Sequence, residues 1–300
     1  MIELQCVLFL LILVGIYAKK RNFITADSRQ RLTDLFIGVI LPCNIISSFN
    51  TRLTVEVIRS AGTVLALAFG VQFFQLFLSK FLYGRACHGK KEVVQYGTIC
   101  SNSGFMGNPV VQGVYGAQGL LYASISLIPV RIFMWSAGLS LFTSTDRKNV
   151  LKVLLKHPCM VAVYIGIGLM LIQYRIPEFL VTTISDIGNC TTAISMIIIG
   201  SILADISWKN AVDKLLIYFS FVRLIGIPVI VLLGLKLLRI GPLATGVTVL
   251  LAGMPAGSTT AILAMKYGCD SEYASKAVLL TTFFSLVTLP ALILLIHLIG

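Results

Sequence analysis

Two short stretches of this 300-residue chain could do chemistry that a plain apolar helix cannot. The first is Ser101-Asn102-Ser103-Gly104-Phe105-Met106-Gly107-Asn108-Pro109, and the second is Gly253-Met254-Pro255-Ala256-Gly257-Ser258-Thr259-Thr260. Proline removes an intrahelical hydrogen bond and glycine resists unwinding only weakly, so each stretch is a place where a helix opens. Freed amides at the start of a half-helix attract an anion, and freed carbonyls can hold a cation. Asn102 and Asn108 add amides that can donate to a carboxylate, while Ser103, Ser258 and Thr259 add hydroxyls. The competing reading is that Gly and Ser here serve only close helix packing, which is common in membranes.

Three charged residues fall inside otherwise apolar segments. Arg131 and Arg223 lie about 15–18 Å into their segments at 1.5 Å per residue. An arginine at that depth costs roughly 2.5–3.5 kcal/mol on insertion scales, so it must face a cavity or a partner. A carboxylate substrate, Asp186 and helix-end carbonyls are the candidate partners. Asp186 itself could carry a coupling proton or neutralise an arginine, and the sequence does not choose between these. The candidate substrate site is therefore Asn102, Ser103, Gly104, Asn108, Pro109, Met254, Pro255, Ala256 and Gly257 with Arg131 and Arg223, and Asp186 is the coupling candidate. Pro42, Asn44, Thr191 and Thr192 are further candidates for lining a cavity.

The elements that must position these residues follow from composition. Hydrophobic residues make up 57% of the chain and charged ones 12%, about half the usual share of a soluble domain, and the mean hydropathy is +0.93. Lipid leaves only helices or a closed barrel. A barrel would alternate apolar and polar residues, whereas Cys6–Ala18 and Val161–Ile172 run continuously apolar, so the expectation is helices. At about 20 residues per crossing, spans are expected near residues 2–18, 31–49, 61–82, 93–115, 119–142, 157–174, 178–203, 213–238, 242–266 and 272–298. The bases alternate with the loops. Seventeen, including Lys19, Lys20, Arg21, Arg85, Arg147, Lys148, Lys152 and Lys209, fall on one side and five, Arg52, Arg59, Arg175, Lys236 and Arg239, on the other. That split predicts a multi-pass protein of the cell (inner) membrane with both termini outside.

The net charge of +12 thus reflects topology rather than nucleic-acid binding. The seven cysteines are scattered without a CxxC pair and the three histidines are isolated, so neither a metal site nor a cofactor is expected. No nucleophile–base pair accompanies the openings, and no GxxxxGK[ST] loop occurs. An enzyme and an ATP-driven pump are therefore disfavoured.

The chain carries a repeat. Tyr115-Gly116 followed by Tyr122-Ala123-Ser124 recurs as Tyr267-Gly268 followed by Tyr273-Ala274-Ser275, at offsets close to half the length. The same offset sets Met254 against Asn102 and Pro255 against Ser103, so the two openings coincide. Two halves, 1–145 and 146–300, of five spans each within one integral membrane unit must enter the membrane in opposite senses. Such inverted repeats build alternating-access carriers with midplane sites, and they also build some channels.

At these residues the sequence resembles the auxin efflux carrier family, which includes plant auxin carriers and malonate carriers. The resemblance rests on Ser101 through Pro109 with Tyr115-Gly116, on His157-Pro158, and on Ile199-Gly200-x-x-Leu203-Ala204. Met254-Pro255-Ala256 through Tyr267-Gly268 completes it. The resemblance implies ten helices in two inverted five-helix repeats, scaffold and transport domains, and broken helices four and nine that cross. It implies that substrate anions bind beside that crossing and that Asn102 matches the family's carboxylate-binding asparagine. The short fifth loop indicates the compact form, and the resemblance then implies a small mono- or dicarboxylate as substrate, a proton or sodium as possible coupling ion, and a possible homodimer as assembly. A sodium-coupled importer resembling bile-acid symporters and a non-transport membrane sensor are the alternatives. The former would want carboxylates at the openings, and neither opening contains one.

Overall fold

The computed structural model describes residues 2–50, 55–84, 86, 88–142, 156, 158–172, 176–205, 213–257 and 259–299. Ser258, His157 and the loop bases Arg52, Arg85, Arg147, Lys148, Lys152, Arg175 and Lys209 lie outside them. The described chain is all-helical, apart from one isolated antiparallel bridge. In order come α1 (Ile2–Lys20), α2 (Ala26–Ser48), α3 (Val55–Leu82), α4 (Lys90–Ile99), α5 (Asn108–Phe133) and α6 (Pro158–Ile172). They are followed by α7 (Glu178–Leu203), α8 (Lys214–Leu237), α9 (Pro242–Ala252), α10 (Thr259–Lys266) and α11 (Ser271–Ile299). Among the described residues six stretches are long and apolar enough to cross a membrane: Ala26–Ser48, Ile58–Leu82, Ser103–Gly138, Glu178–Ile202, Lys214–Leu237 and Ser271–Ile299. The chain is a multi-pass membrane protein.

Local chemistry explains where these helices deviate. Three π-turns, Phe36–Ile40, Ser103–Gly107 and Val222–Gly226, each stop two residues before a proline: Pro42, Pro109 and Pro228. A proline ring collides with the carbonyl four residues back, and one extra residue in the turn moves that carbonyl aside. The Leu41 and Ile227 amides accordingly donate five residues back, to Phe36 and Val222. Where the sequence places a loop between spans four and five, Gly116 breaks α5 with φ +64 and ψ −156. Its repeat counterpart Gly268 has φ +71. There the Cys269 amide donates to the Ala264 carbonyl at 2.9 Å, closing the end of α10. A left-handed residue at a helix end is most easily glycine.

The chain divides into two compact units, each drawing on both sequence halves. The first comprises Met1–Gly62, Gly104–Ile125 and Leu155–Ile206, the second Thr63–Ser103, Ser126–Leu154 and Ser207–Gly300. In the first unit α1 packs backbone to backbone on α7. A Cβ on Gly15 would lie 2.1 Å from the Ile197 carbonyl oxygen, and one on Gly200 2.1 Å from that of Ile12. Small residues permit such approaches where lipid provides no hydrophobic drive between helices. Asp205, just past α7, closes this seam by pairing with Lys19 at 3.3 Å and Arg29 at 2.5 Å. These pairs are partly exposed and contribute little individually.

The second unit is built around α4. One cluster packs Tyr83, Val93 and Val94 against Leu216 and Phe219 of α8, Ala256 and Ala264 beside and within α10, and Tyr273, Ala274, Ala277, Val278 and Leu280 of α11. Another joins Tyr96, Ile99 and Cys100 to Phe133, Met134 and Leu263. On α3 the opposite arrangement holds, with Phe73, Phe77 and Phe81 exposed at four-residue spacing, a stripe suited to lipid.

Gly200→Val should lower the thermal midpoint of the detergent-solubilised protein, since overpacking costs about 1–3 kcal/mol. Gly168→Val, with nothing within 4 Å of its added Cβ, should leave it unchanged. Equal midpoints for the two would show that the α1–α7 seam is not the close contact described.

Candidate functional site

The first opening begins where α4 ends. The Cys100 amide still closes on Tyr96 at 2.8 Å, but the Asn102 amide leaves the helix and donates to the Pro255 carbonyl at 2.8 Å. From the second opening, the Gly257 amide donates to the Cys100 carbonyl at 2.9 Å. Ser101 and Ala256 form an antiparallel bridge between these bonds. Cys100–Asn102 and Pro255–Gly257 thus pair as a scrap of two-stranded sheet, all within the second unit. The pairing is what lets the helices open in an apolar interior, because each stretch supplies the hydrogen bonds the other has lost.

Side chains then fix the pair. Thr281 of α11 accepts from the Ala256 amide at 3.2 Å and donates to its own helix at Ala277, 2.8 Å. The Tyr96 hydroxyl bonds Thr259 Oγ1 at 3.2 Å at the start of α10. Gly97 must lack a side chain, since a Cβ there would lie 2.8 Å from the Phe219 ring and 3.4 Å from Ala256. Arg223, on the π-turn of α8, is fully buried. Its Nε donates to the Met254 carbonyl at 3.0 Å and its Nη1 to the Thr98 carbonyl at 2.9 Å.

The sequence candidates therefore separate. Asn102, Met254, Pro255, Ala256, Gly257 and Arg223 are brought together by direct bonds in the second unit. Ser103 belongs there too, its hydroxyl bonded to that of Ser101. Asn102 is buried at 8% exposure, and its side-chain amide makes no hydrogen bond among the described residues. Arg131 lies in the second unit, with Nη1 3.5 Å from the Met134 sulfur and Nε unpaired. Gly104, Asn108 and Pro109 belong to the first unit. Asn108 is fully buried there with both amide atoms unpaired. Asp186 is exposed on α7 of the first unit and forms no ion pair among the described residues. Asn44, by contrast, is bonded through Nδ2 to Gln112 at 3.2 Å and to the Gly188 carbonyl at 3.1 Å.

A small cleft lies beside the paired openings in the second unit. Gln72, Gln75, Ser101, Ser103, Ser126 and Thr248 are its polar walls, with apolar residues of α3, α5 and α9 between them. Gln72 Nε2 donates to Gln75 Oε1 at 3.2 Å, while Gln72 Oε1 and Thr248 Oγ1 are buried without partners. The two glutamines, Ser126 and Thr248 were not among the sequence candidates. A pair of glutamines one turn apart within an apolar span was the available signal, since intramembrane polar residues are expensive and usually functional.

The profile of the membrane transport protein family matches residues 1–152 and again residues 147–293. The chain belongs to this family, that of the auxin efflux carriers. It is also similar to a protein described as an uncharacterized transporter from Methanocaldococcus jannaschii, at 22% identity over 298 residues and 96% of both chains. A second uncharacterized transporter, from Methanothermobacter thermautotrophicus, is 28% identical over 193 residues, 63% of each chain. Membership makes the chain a membrane transport protein.

Thr281→Val keeps the shape but removes the acceptor for the Ala256 amide. An unsatisfied buried amide costs about 1–3 kcal/mol, so the melting midpoint should fall, and Thr281→Ser should restore most of it. A Val variant as stable as the parent would mean that the hydroxyl does not hold the opening.

Proposed function

We propose that this transport protein is a secondary carrier of a small organic anion, a mono- or dicarboxylate, working by alternating access at the paired openings. The observation that carries this reading is the set of bonds joining Cys100–Asn102 to Pro255–Gly257. It leaves the unbonded side-chain amide of Asn102 and the first turn of α10 each adjoining the paired stretches, where a carboxylate would find neutral donors and the positive end of a helix. The hydroxyls of Ser101, Ser103 and Thr248 and the amides of Gln72 and Gln75 can bond the rest of such a substrate. Arg131 and Arg223 supply positive charge, and neither has a carboxylate partner among the described residues. In the first unit, Asn108 with its unpaired buried amide and the adjoining Pro109 are separate binding candidates, and Asp186 is the candidate for a coupling proton.

The architecture proposed is ten spans in two inverted halves, 1–145 and 146–300, in the cell membrane with both termini outside. Two family matches meeting near the middle of the chain support the duplication. So do the left-handed glycines at 116 and 268. The two compact units follow the duplication in part: shifting 1–62 by the repeat offset covers 155–206 of the first unit, and shifting 63–103 gives a segment of the second, whereas 104–125 of the first unit shifts into the second.

Uptake of labelled mono- and dicarboxylates into proteoliposomes tests the reading, with and without proton or sodium gradients. Saturable flux is expected for at least one small carboxylate. Asn102→Ala should reduce it about 10- to 100-fold, the loss of one hydrogen bond to a charged group. Saturable flux that ignores this substitution would move the site elsewhere, and no flux of any anion would remove the substrate class.

A further inference from the structure

Arg223 has no exposed surface. Among the described residues no carboxylate lies within ion-pair distance of it. A buried charge without compensation is strongly unfavourable, so something uncharged must hold this one. Its two hydrogen bonds identify the holder. Thr98 stands in the last turn of α4, and Met254 two residues beyond the end of α9. In an unbroken helix the Thr98 carbonyl would receive the Asn102 amide, but that amide is bonded to Pro255. Arg223 Nη1 takes its place. The guanidinium therefore sits between the carbonyl ends of two half-helices, each of which carries roughly half a negative charge. In carriers made of discontinuous helices, such ends are where a sodium ion or proton is bound.

We propose that Arg223 is a tethered counter-cation: its guanidinium fills the position between the carbonyl ends of α4 and α9 that a free alkali cation would otherwise have to neutralise, so the paired openings assemble without a bound metal cation. The consequence for coupling, that sodium is not needed at this point, rests on the carrier reading. The role of the side chain does not. The planar fork of arginine reaches two carbonyls at once, which the single ammonium of lysine does less well.

The test uses the purified full chain in detergent and needs no substrate. Thermal midpoints are compared in choline chloride, in sodium chloride, and in choline chloride with guanidinium at about 20 mM, far below denaturing strength. The wild type should melt at one temperature in all three. Arg223→Gln should melt lower in choline, and sodium or guanidinium should recover about 2–4 °C by occupying the vacated position. Arg223→Lys should fall between the two and respond little to either cation. Three results would overturn the proposal: a wild type stabilised by sodium over choline, a Gln variant as stable as the parent, or a Gln variant that neither cation rescues. If Arg223→Gln does not fold, Arg223→Lys decides. A folded Lys variant supports the counter-cation, and a Lys variant that fails as completely refutes it. Absence of anion flux would leave this result standing, and failure here would leave the flux experiment untouched.

Discussion

Opening a helix in an apolar interior strands amides and carbonyls that no lipid can satisfy. The second unit opens two, and its organisation follows from that one liability. Asn102, which no longer completes α4, donates to Pro255. Gly257, which precedes α10, donates to Cys100. Two further carbonyls, Thr98 and Met254, are collected by one guanidinium. Each break thus meets the needs of the other, and neither opening could be closed or shifted by a residue without orphaning groups on its partner. The packing around them serves this register. Gly97 is a glycine because Phe219 and Ala256 occupy the space of its Cβ, and Thr281 reaches from α11 to the Ala256 amide, which the pairing leaves over.

The arginine is stable there only because both ends are present. Burying a charge costs several kcal/mol even after relaxation. A hydrogen bond from a charged group returns about 1.5–3 kcal/mol, and a helix end up to about 2 kcal/mol in a partly buried geometry. One bond and one dipole would leave the balance unfavourable or near zero. Two of each offset more of the cost, although Nη2 is buried without a hydrogen-bond partner among the described residues. Arg223 is therefore a consequence of the pairing as well as a support for it, and it reports that the two carbonyl ends face the same point.

The positions of the openings were legible in the sequence because proline and glycine act locally: Pro255, Gly253 and Gly257 weaken their own helix whatever surrounds it. The repeat offset was legible too, and the left-handed Gly116 and Gly268 stand at its two ends. Helix-end carbonyls were among the partners the sequence offered Arg223, but the choice among them was not local. It depends on Asn102 abandoning Thr98 for Pro255, a bond between residues 153 positions apart. The division into units was hidden for a similar reason. A strand of sequence such as Ser103-Gly104 carries no composition change, yet the boundary between the units falls there. Gln72 and Gln75 were not legible because two amides inside a long apolar span look like isolated tolerances until the cleft shows them lining it with Ser101 and Ser103.

The distribution of these bonds bears on how a carrier of this kind could move. Asn102 with Pro255, Gly257 with Cys100, Ala256 with Thr281, and Arg223 with Met254 and Thr98 all begin and end in the second unit. A site that must face opposite sides of a membrane in turn cannot exchange its backbone hydrogen bonds for lipid on the way, because each unsatisfied group would add several kcal/mol to the barrier. Keeping the whole set inside one body removes that barrier, since displacement of the unit carries donors and acceptors together. The interleaving of sequence halves accomplishes this. Had each half folded separately, the two openings would belong to different bodies, and any relative motion would tear them apart. Under the carrier reading, what matters is that both breaks lie in one compact unit.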